Sequence, residues 1–503
     1  MTATAESTQA DVGLAPIAWA QAGAIAAAAA VAHLAVASRF GWHRDEFYYV
    51  TTGRHLAWGY PDQPPVASLV ARAAAAFPGG VLPLRIVAIA AQAGCILMAA
   101  LIARELGGRW RAQALAAGCI AAPPIFIGAS ILLGTTVLDQ LAWGVVLVLV
   151  AQALRRGTLI SWVAAGVAAG VGLETKQTLV VLLAGIALGL VLTRREVLRT
   201  AGPWVAGVIA AVIWAPNLDW DATHHWQNLS MAKVLSSRSG GPIGSLIQLP
   251  GLLLFLAGPG LVVIWFAGAR WLRRDKAGRP HRWLLVVAAV AVVVFTAAGG
   301  KIYYPAPVLI ALFAAGAVKV ESRIAAGGST WRRPVLGVTV SAVITTFLLL
   351  PFLSITALDN GVARALTDPV IETYGWPSLA SQVTRAAATV PGATAIFTSN
   401  YGEAGALARF GPPRGLRLPV LSGQNAYGDW GPPKTGTPDV VVAIGEFDAT
   451  YLRQFWGDVT EIEPIVMPHH IIDEETSKHA AIYVCRDPKG SWAVLWPELV
   501  HLS

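Results

Sequence analysis

Charged side chains are scarce in this sequence. Asp, Glu, Lys and Arg make up 13% of its 503 residues, whereas about 25% is usual in a soluble domain. The scarcity is concentrated in the first ~357 residues, where apolar runs of about 20 residues, long enough to cross a bilayer, follow one another. This composition argues against an ordinary soluble protein and predicts a polytopic α-helical membrane protein.

Cysteine is nearly absent as well, with three residues in the whole chain. Cys95 and Cys119 lie in apolar runs, and Cys485 lies in the polar C-terminal region. No two of them have the CxxC spacing, which argues against a disulfide framework and against a structural zinc site.

The apolar runs predict about eleven transmembrane helices within a membrane domain that spans residues 17–357. Two segments between them, 39–81 and 218–247, are long and rich in His, Trp, Tyr and acidic residues. We therefore expect function on the face to which these two segments belong. The predicted helices are 17–37, 82–103, 113–133, 138–154, 160–175, 177–193, 201–217, 248–270, 283–299, 303–318 and 335–357.

Basic residues determine the expected orientation. The net charge of +8 comes mostly from short loops and forms no basic face, which argues against nucleic-acid binding. Since basic loops stay in the cytoplasm, residues 1–16 are expected to be a cytoplasmic tail. This tail has no Lys or Arg, so it lacks the basic start of a signal peptide. The odd helix count then predicts a multi-pass plasma-membrane protein with an extracytoplasmic C-terminus.

Residues 358–503 have a different composition and predict a small extracytoplasmic α/β domain. Strand-like and helix-like stretches alternate there, as they do in mixed α/β folds. The Gly- and Pro-rich segment 411–438 is expected to be an ordered loop. The strand-like runs are 395–398, 440–444 and 481–485, and the helix-like stretches are 377–389 and 402–410.

Two adjacent acids, Asp45 and Glu46, follow the first apolar run and are surrounded by aromatic residues such as Tyr48. An acid at the membrane boundary is costly to desolvate unless it has a partner or a function. We interpret this acidic motif as a general base or a metal ligand, with a solvated helix end as the alternative.

Three further polar clusters lie at expected outer ends of helices. Segment 60–65 carries Tyr60 and Asp62 among three prolines, which predicts a rigid turn. Asp139 is expected either to cap the helix that begins there or to support the acidic motif. Lys176 is a cation on a face otherwise poor in cations, which indicates an anionic ligand or an ordinary loop lysine.

Two more clusters complete this outer face. His224 and His225 lie beside two Asp residues and are candidates for a divalent-cation site, with an amphipathic interfacial helix as the alternative. Lys301 precedes Tyr303 and Tyr304, a combination suited to a phosphate and its lipid chain or to anchoring a helix end. Together, the clusters have the layout expected for a lipid phosphate taken from the bilayer and a polar partner taken from outside.

The order of these motifs resembles the GT-C glycosyltransferases of the ArnT and protein O-mannosyltransferase type, glycosyltransferase family 39. In this sequence the corresponding motifs are Asp45-Glu46, 60–65, Asp139, Lys176, 217–220 and 301–307. Segments 400–407 and 430–433 are similar to the C-terminal part of bacterial members. Gln63 departs from the family, where many relatives have His, and Glu174 stands where small residues are common.

The resemblance implies a sugar donor on a polyprenyl phosphate and inverting transfer to a hydroxyl of a protein, a lipid or a cell-envelope glycan. Asp45 is then the expected base, positioned by Glu46 or Asp139. No cofactor is certain, and a divalent cation stays open. The candidate ligands of the donor phosphate are Lys176, Arg54, Arg85 and Lys301. The candidate pocket residues are Tyr48, Tyr60, Asp62, Tyr303, Tyr304, His224 and His225.

Two other functional classes stay open at this point. A transporter of an anionic lipid or metabolite usually has two similar halves and helices broken near the midplane, whereas the charged groups here gather at the outer ends. A non-catalytic envelope assembly protein would not need acids at the end of its first helix.

Overall fold

The computed structural model describes residues 13–359, 361–432 and 437–503. Most of the predicted cytoplasmic tail 1–16 lies outside the described residues, as does part of the segment 411–438. The described chain is predominantly helical, and a five-stranded sheet lies in its C-terminal part.

Sixteen α-helices begin before residue 350 in the described chain. A short π-helical segment, Leu252–Leu256, follows the twelfth of them. In chain order they are α1 (Trp19–Leu34), α2 (Arg44–Arg54), α3 (Val66–Ala75), α4 (Leu82–Glu105), α5 (Trp110–Ala121), α6 (Pro124–Ala129), α7 (Thr135–Arg156), α8 (Leu159–Leu173), α9 (Leu179–Thr193), α10 (Gly202–Thr223), α11 (Gln227–Arg238), α12 (Gly241–Gly251), α13 (Val262–Arg274), α14 (Trp283–Ala297), α15 (Leu309–Ala325) and α16 (Arg332–Leu349).

Several predicted spans are shorter or broken in the structure. The predicted span 113–133 divides at Pro123, since α5 ends at Ala121 and α6 begins at Pro124. Among the described residues, four helical spans are long and apolar enough to cross a membrane, and one bent pair would make a fifth. The count of eleven transmembrane helices therefore stays a prediction. The four are Leu82–Glu105, Thr135–Arg156, Arg279–Ala297 and Arg332–Leu349.

The first of two compact units consists of Met1–Val36, Gln63–Ala67 and Arg85–Leu350. Its apolar helices pack closely where glycines face a neighbour. A Cβ on Gly166 of α8 would lie 2.6 Å from the backbone oxygen of Ala206 on α10. Small residues thus let these helix backbones approach, as is common in membrane bundles.

The second unit consists of Ala37–Asp62, Ser68–Leu84 and Pro351–Ser503. It therefore includes most of the segment 39–81, with helix α2. Its remaining elements are α17 (Ile355–Leu358), α18 (Gly361–Ile371), α19 (Trp376–Ala388), β1 (Ala395–Thr398), α20 (Tyr401–Phe410), β2 (Val420–Ser422), α21 (Ala426–Trp430), β3 (Val440–Gly445), α22 (Ala449–Leu452), β4 (Trp456–Pro464), α23 (Glu474–Ser477), β5 (Ala481–Pro488) and α24 (Trp492–Leu499).

The sheet of this unit is mixed, with strand order β2-β1-β3-β5-β4. Strand β1 runs parallel to β2 and β3, whereas β5 is antiparallel to β3 and β4. An aromatic core that includes Phe397, Trp456, Trp492 and Trp496 packs against the sheet. The predicted fold class, a helical membrane protein with a small C-terminal α/β domain, is confirmed.

All three predicted strands are present, and two more were not predicted. Strand β2 has only three residues and lies within the segment 411–438, which was expected to be a loop. Strand β4 is an edge strand whose exposed polar residues, such as Asp458 and Glu461, hide its character in the sequence.

Candidate active site

The acidic motif forms the first turn of α2. His43 is the N-cap, and its ring accepts a hydrogen bond from the backbone N–H of Asp45 at 3.1 Å. Glu46 is fully buried, and its carboxylate accepts the backbone N–H of His43 at 2.9 Å. This capping box uses Glu46 to fix the start of the helix. The predicted positioning role suits Glu46 better than direct chemistry.

A second capping box begins α20. The Asn400 side chain accepts the backbone N–H of Glu403 at 2.9 Å, and Glu403 accepts the backbone N–H of Asn400 at 3.2 Å. The Glu403 carboxylate also accepts the Ser399 hydroxyl at 3.0 Å. Tyr401 is therefore the first residue of a helix with a firmly fixed start.

Helices α2 and α20 pack against each other through two glycines. A Cβ on Gly402 would lie 2.7 Å from the Cβ of Arg44, and a Cβ on Gly405 would overlap that of Phe47. No larger residue fits at either position without displacing the neighbouring helix. The motif 400–407 is thus explained by two helix-capping residues and two sites of close approach.

This packing brings Tyr401 to Asp45. The Tyr401 hydroxyl donates a hydrogen bond to Asp45 Oδ1 at 2.7 Å. The Asp45 side chain keeps 35% of its surface exposed. The carboxylate is therefore held at one oxygen while it remains accessible to a substrate.

A second tyrosine–carboxylate pair lies next to the first. The Tyr48 hydroxyl donates to Asp62 Oδ1 at 2.7 Å, and the rings of Tyr48 and Tyr401 lie 4.6 Å apart between centroids. Burial raises the pKa of Asp62 to about 7, and the charge of Asp45 adds to the shift, whereas the Tyr48 hydrogen bond opposes it. The pKa of Tyr48 and that of Tyr401 are raised well above the ordinary value, chiefly by burial. Both phenols therefore stay protonated and donate.

Other predicted residues of this unit have structural or peripheral positions. The Tyr60 hydroxyl donates to the backbone oxygen of Thr52 at 2.9 Å, and Tyr60 is only 2% exposed. It therefore closes the turn after α2, and its predicted role in the pocket stays a prediction. Arg54 ends the same helix with an exposed side chain, so a phosphate can reach it.

Aromatic residues of α21 contact the C-terminal end of α2 and the residue that follows it, and no role was predicted for them. The Tyr427 hydroxyl donates to the hydroxyl of Thr51 at 3.2 Å. Trp430 stacks on His55 with ring centroids 4.3 Å apart. The similarity of segment 430–433 to bacterial glycosyltransferases was the only indication in the sequence that this region belongs to the site. Pro433 of that segment lies outside the described residues.

The first unit holds a separate cationic cluster around Lys176. The Lys176 ammonium lies 4.7 Å from the ring centroid of Tyr304 and 5.6 Å from that of Tyr303. The charge of Asp139 attracts it, and the charge of Lys301 repels it. The fold thus brings together residues of two separate predicted motifs, namely Lys176 from one and Lys301, Tyr303 and Tyr304 from the other.

Asp139 is buried in α7, where one carboxylate oxygen accepts the Thr178 hydroxyl at 3.2 Å. One alternative had expected Asp139 to cap α7. The N-cap of α7 is Gly134, so that alternative is wrong. Asp139 supports the Lys176 region instead. Arg85 lies on α4 and is only 4% exposed.

The paired histidines follow α10. The His224 ring stacks on Trp220 at 4.1 Å, and its Nδ1 lies 2.7 Å from the backbone oxygen of Trp220. Asp221 accepts hydrogen bonds from Asn228. In the part of the chain that the structure describes, no three His, Cys, Asp or Glu side chains are grouped to hold a metal ion. These contacts favour the interfacial-helix alternative.

Similarity to known proteins extends over most of the chain. Residues 62–220 match the family model described as dolichyl-phosphate-mannose-protein mannosyltransferase. That segment includes Asp62, Asp139 and Lys176 but begins after Asp45. No curated protein matches the sequence.

ArnT from Cupriavidus metallidurans bound to undecaprenyl phosphate matches with a TM-score of 0.58 at 15% identity, over 93% of this chain and 98% of that one. This chain has the GT-C fold. Apo ArnT from the same organism matches with a TM-score of 0.52 at 15% identity, over 88% of this chain and 93% of that one.

The oligosaccharyltransferase of Archaeoglobus fulgidus in complex with Zn and sulfate is similar too. It matches with a TM-score of 0.50 at 14% identity, over 78% of this chain and 62% of that one. The predicted resemblance to GT-C glycosyltransferases is therefore confirmed. With its apolar helices, this GT-C chain is a membrane protein.

Proposed function

We propose that this protein is a glycosyltransferase that moves a hexosyl or pentosyl group from a polyprenyl-phosphate donor to an acceptor hydroxyl, with inversion. The observation that carries the proposal is the Asp45 carboxylate, held by Tyr401 and accessible, in a chain with the ArnT fold. The similar ArnT structure contains undecaprenyl phosphate, and the matching family model is named for a dolichyl-phosphate sugar.

Asp45 acts as the general base in this proposal. It takes the proton of the acceptor hydroxyl as the hydroxyl oxygen attacks the anomeric carbon. The bond between that carbon and the phosphate oxygen breaks in the same step, and a single displacement inverts the configuration. The acceptor is a protein, a lipid or a cell-envelope glycan.

Lys176 neutralises the negative charge that develops on the leaving phosphate. Its ammonium is flanked by Tyr303 and Tyr304, whose rings suit the start of a polyprenyl chain. Lys301, Arg85 and Arg54 are further candidates for phosphate contact. No step of this mechanism needs a metal ion.

The proposal places the reaction on the outer face of the plasma membrane, with the N-terminus in the cytoplasm and residues 358–503 outside. Arg and Lys are concentrated in the loops assigned to the cytoplasm, which supports this orientation. Accessibility of single cysteines to a membrane-impermeant reagent in intact cells tests it. Labelling of Ser491→Cys but not of Ala277→Cys is the expected result, and the reverse would overturn the orientation.

Transfer activity is tested with purified protein in lipid nanodiscs and a panel of radiolabelled polyprenyl-phosphate sugars. We expect wild type to release sugar from one donor. The release rate of Asp45→Asn should be lower by a factor of at least about 100. Asp458→Asn, an exposed acid of the same unit, is the matched control and should retain activity.

Donor binding is measured in the same samples, because a missing acceptor slows turnover without affecting the donor site. Binding that Asp45→Asn retains while release is lost supports the role of base. If folded wild-type protein neither binds a donor nor releases sugar from one, the proposal is contradicted.

A further inference from the structure

The C-terminal part of the second unit contributes Tyr401 directly to Asp45, and the Tyr401 side chain is held on several sides. Its ring lies 4.6 Å from that of Tyr48, and the Arg44 guanidinium lies 5.1 Å from its centroid. The backbone N–H of Tyr401 donates to Gln424 Oε1 at 2.8 Å. These contacts leave the phenol little freedom to turn away from Asp45.

We propose that Tyr401 is the positioning residue of the catalytic base, so that the C-terminal domain is part of the catalytic apparatus. The inference rests on the proposed function of Asp45. A hydrogen bond to a carboxylate favours its charged form, and it also fixes the direction of the remaining lone pairs. Tyr401 thereby favours the charged form of Asp45 and fixes the direction of its carboxylate.

A purely structural hydrogen bond would not require this arrangement. Two glycines are placed where α2 and α20 meet, and the first turn of each helix is fixed by its own capping box. Arg44 is anchored by an ion pair with Glu474, so the cation next to the phenol is itself fixed. These contacts together restrict the position of the Asp45 carboxylate relative to Tyr401.

Tyr401→Phe tests the inference, because it removes the hydroxyl and keeps the ring. We expect kcat to fall about 10- to 100-fold with donor affinity unchanged. The acidic limb of the kcat/KM profile should move to higher pH, because the carboxylate loses a donor. Tyr451→Phe, a half-buried tyrosine of α22, is the matched control and should behave as wild type.

Incorporation of 3-fluorotyrosine at position 401 provides a second variant with nearly the same volume. The more acidic phenol is a stronger donor, so the acidic limb should move to lower pH, opposite to the effect of Tyr401→Phe. A structural role predicts no such opposite shifts. If wild type transfers sugar and Asp45→Asn does not, but both Tyr401 variants keep the wild-type profile, this inference fails while the proposed function stands.

A groove in the first unit carries a second, independent inference. It has a volume of about 650 Å³ and runs between α1, α5 and α16, with apolar residues such as Ala29, Leu115 and Val338 along it. At one end the Arg111 guanidinium lies 5.1 Å from the ring centroid of Trp110 and 5.8 Å from that of Trp331. The groove is thus mostly apolar, although His33, Thr339 and Thr346 also line it, and it has a cation at one end.

We infer that this groove binds one acyl chain of an anionic phospholipid, with the phosphate at Arg111. Water does not fill an apolar groove within a bilayer, and a cation flanked by indoles suits an anionic headgroup at the interface. From Trp331 to Phe347 the groove follows α16 for about 24 Å at 1.5 Å per residue, which accommodates a complete acyl chain.

Native mass spectrometry of the full-length protein, titrated with phosphatidylglycerol or phosphatidylcholine, tests this inference. We expect phosphatidylglycerol to be retained preferentially and Arg111→Gln to reduce its retention at least tenfold. Arg199→Gln, an exposed arginine of the same unit, is the control. Equal retention of both lipids, or no effect of Arg111→Gln, would overturn the inference. The inference would also fail if the protein were a dimer and Val338→Trp dissociated it. That result would mean that a second copy of the chain occupies the groove.

Discussion

At the scale of the residue, identical side chains have acquired different chemistry from their surroundings. Asp45 and Asp62 each accept a hydrogen bond from a tyrosine hydroxyl. Asp45 is partly exposed, whereas burial raises the pKa of Asp62 to about 7. The two carboxylates influence each other's proton affinity, since like charges at short range disfavour ionisation of both. In the proposed mechanism, Asp62 therefore modulates the strength of Asp45 as a base.

This coupling predicts how activity depends on pH. As the pH rises through about 7, Asp62 becomes charged, and Asp45 becomes a stronger base. We expect kcat of wild type to rise in this range and Asp62→Asn, which mimics the protonated form, to remove the rise. Transfer rates measured between pH 5.5 and 8.5 test this rise in kcat. Asp458→Asn is the control and should show the same rise as wild type. A rise that persists in Asp62→Asn would contradict the coupling.

Lys176 gives a second prediction at this scale. Its ammonium is proposed to contact the donor phosphate, and a hydrogen bond to a charged group contributes roughly 1.5–3 kcal/mol. Lys176→Met should therefore weaken donor binding by about 10- to 100-fold, measured by equilibrium binding of radiolabelled donor in nanodiscs. Lys276→Met, an exposed lysine of the same unit, should not change affinity. Unchanged binding by Lys176→Met would remove Lys176 from the phosphate site.

The sequence predicted individual site residues better than their partners. Asp45, Asp62, Lys176 and Tyr304 stood out in the sequence because charged and aromatic residues at helix ends need an explanation, and their roles stay predictions. The Tyr401 contact was not predicted, since it joins positions 356 residues apart and no local pattern indicates which residue a tyrosine will meet. The buried state that raises the pKa of Asp62 is equally invisible before the fold is known.

At the scale of the element, two helix starts and the glycines between them build the site. The capping boxes of α2 and α20 were readable as short motifs, but their meeting was not, because local rules do not specify which helices pack together. The same limit explains why α5 and α6 were predicted as one span. Apolar composition continues through Pro123 and Pro124, although the helix does not.

Gly405→Ala tests the importance of the close approach. The added methyl would overlap Phe47, so α20 must move away from α2, and overpacking of this kind costs about 1–3 kcal/mol. We expect a lower melting temperature and a larger loss of activity than stability alone explains, because Tyr401 moves with the helix. Gly207→Ala in α10, where a Cβ meets nothing within 4 Å, is the control. Full activity of Gly405→Ala would contradict this account.

At the scale of the whole molecule, the second unit buries an excess of carboxyl groups. Burial raises the pKa of Glu372 and that of Glu403 to about 8, and it raises the pKa of Glu475 well above the ordinary value. These groups keep their protons in the folded protein, whereas an unfolded chain releases them near pH 4 to 5. The folded state then binds more protons, so its stability decreases as the pH rises from about 4 to about 8.

Glu475→Gln should reduce this dependence, because the amide cannot ionise. We expect its melting temperature to exceed that of wild type at pH 8 and to be nearly equal at pH 5. Differential scanning fluorimetry of both proteins across this range measures it. Glu498→Gln, an exposed acid of α24, should follow wild type throughout. Parallel curves for wild type and Glu475→Gln would refute the explanation.

The distance along the chain between Asp45 and Tyr401 also has a consequence for biosynthesis. Translation proceeds at about 5–20 residues per second, so roughly 20–70 s pass between the appearance of the two residues. Throughout that interval the nascent chain is inserting into the membrane, and Asp45, the proposed base, still lacks its hydrogen bond from Tyr401. If the proposed mechanism holds, full activity therefore requires at least about four fifths of the 503 residues, and a ribosome that stalls earlier leaves a fragment without Tyr401.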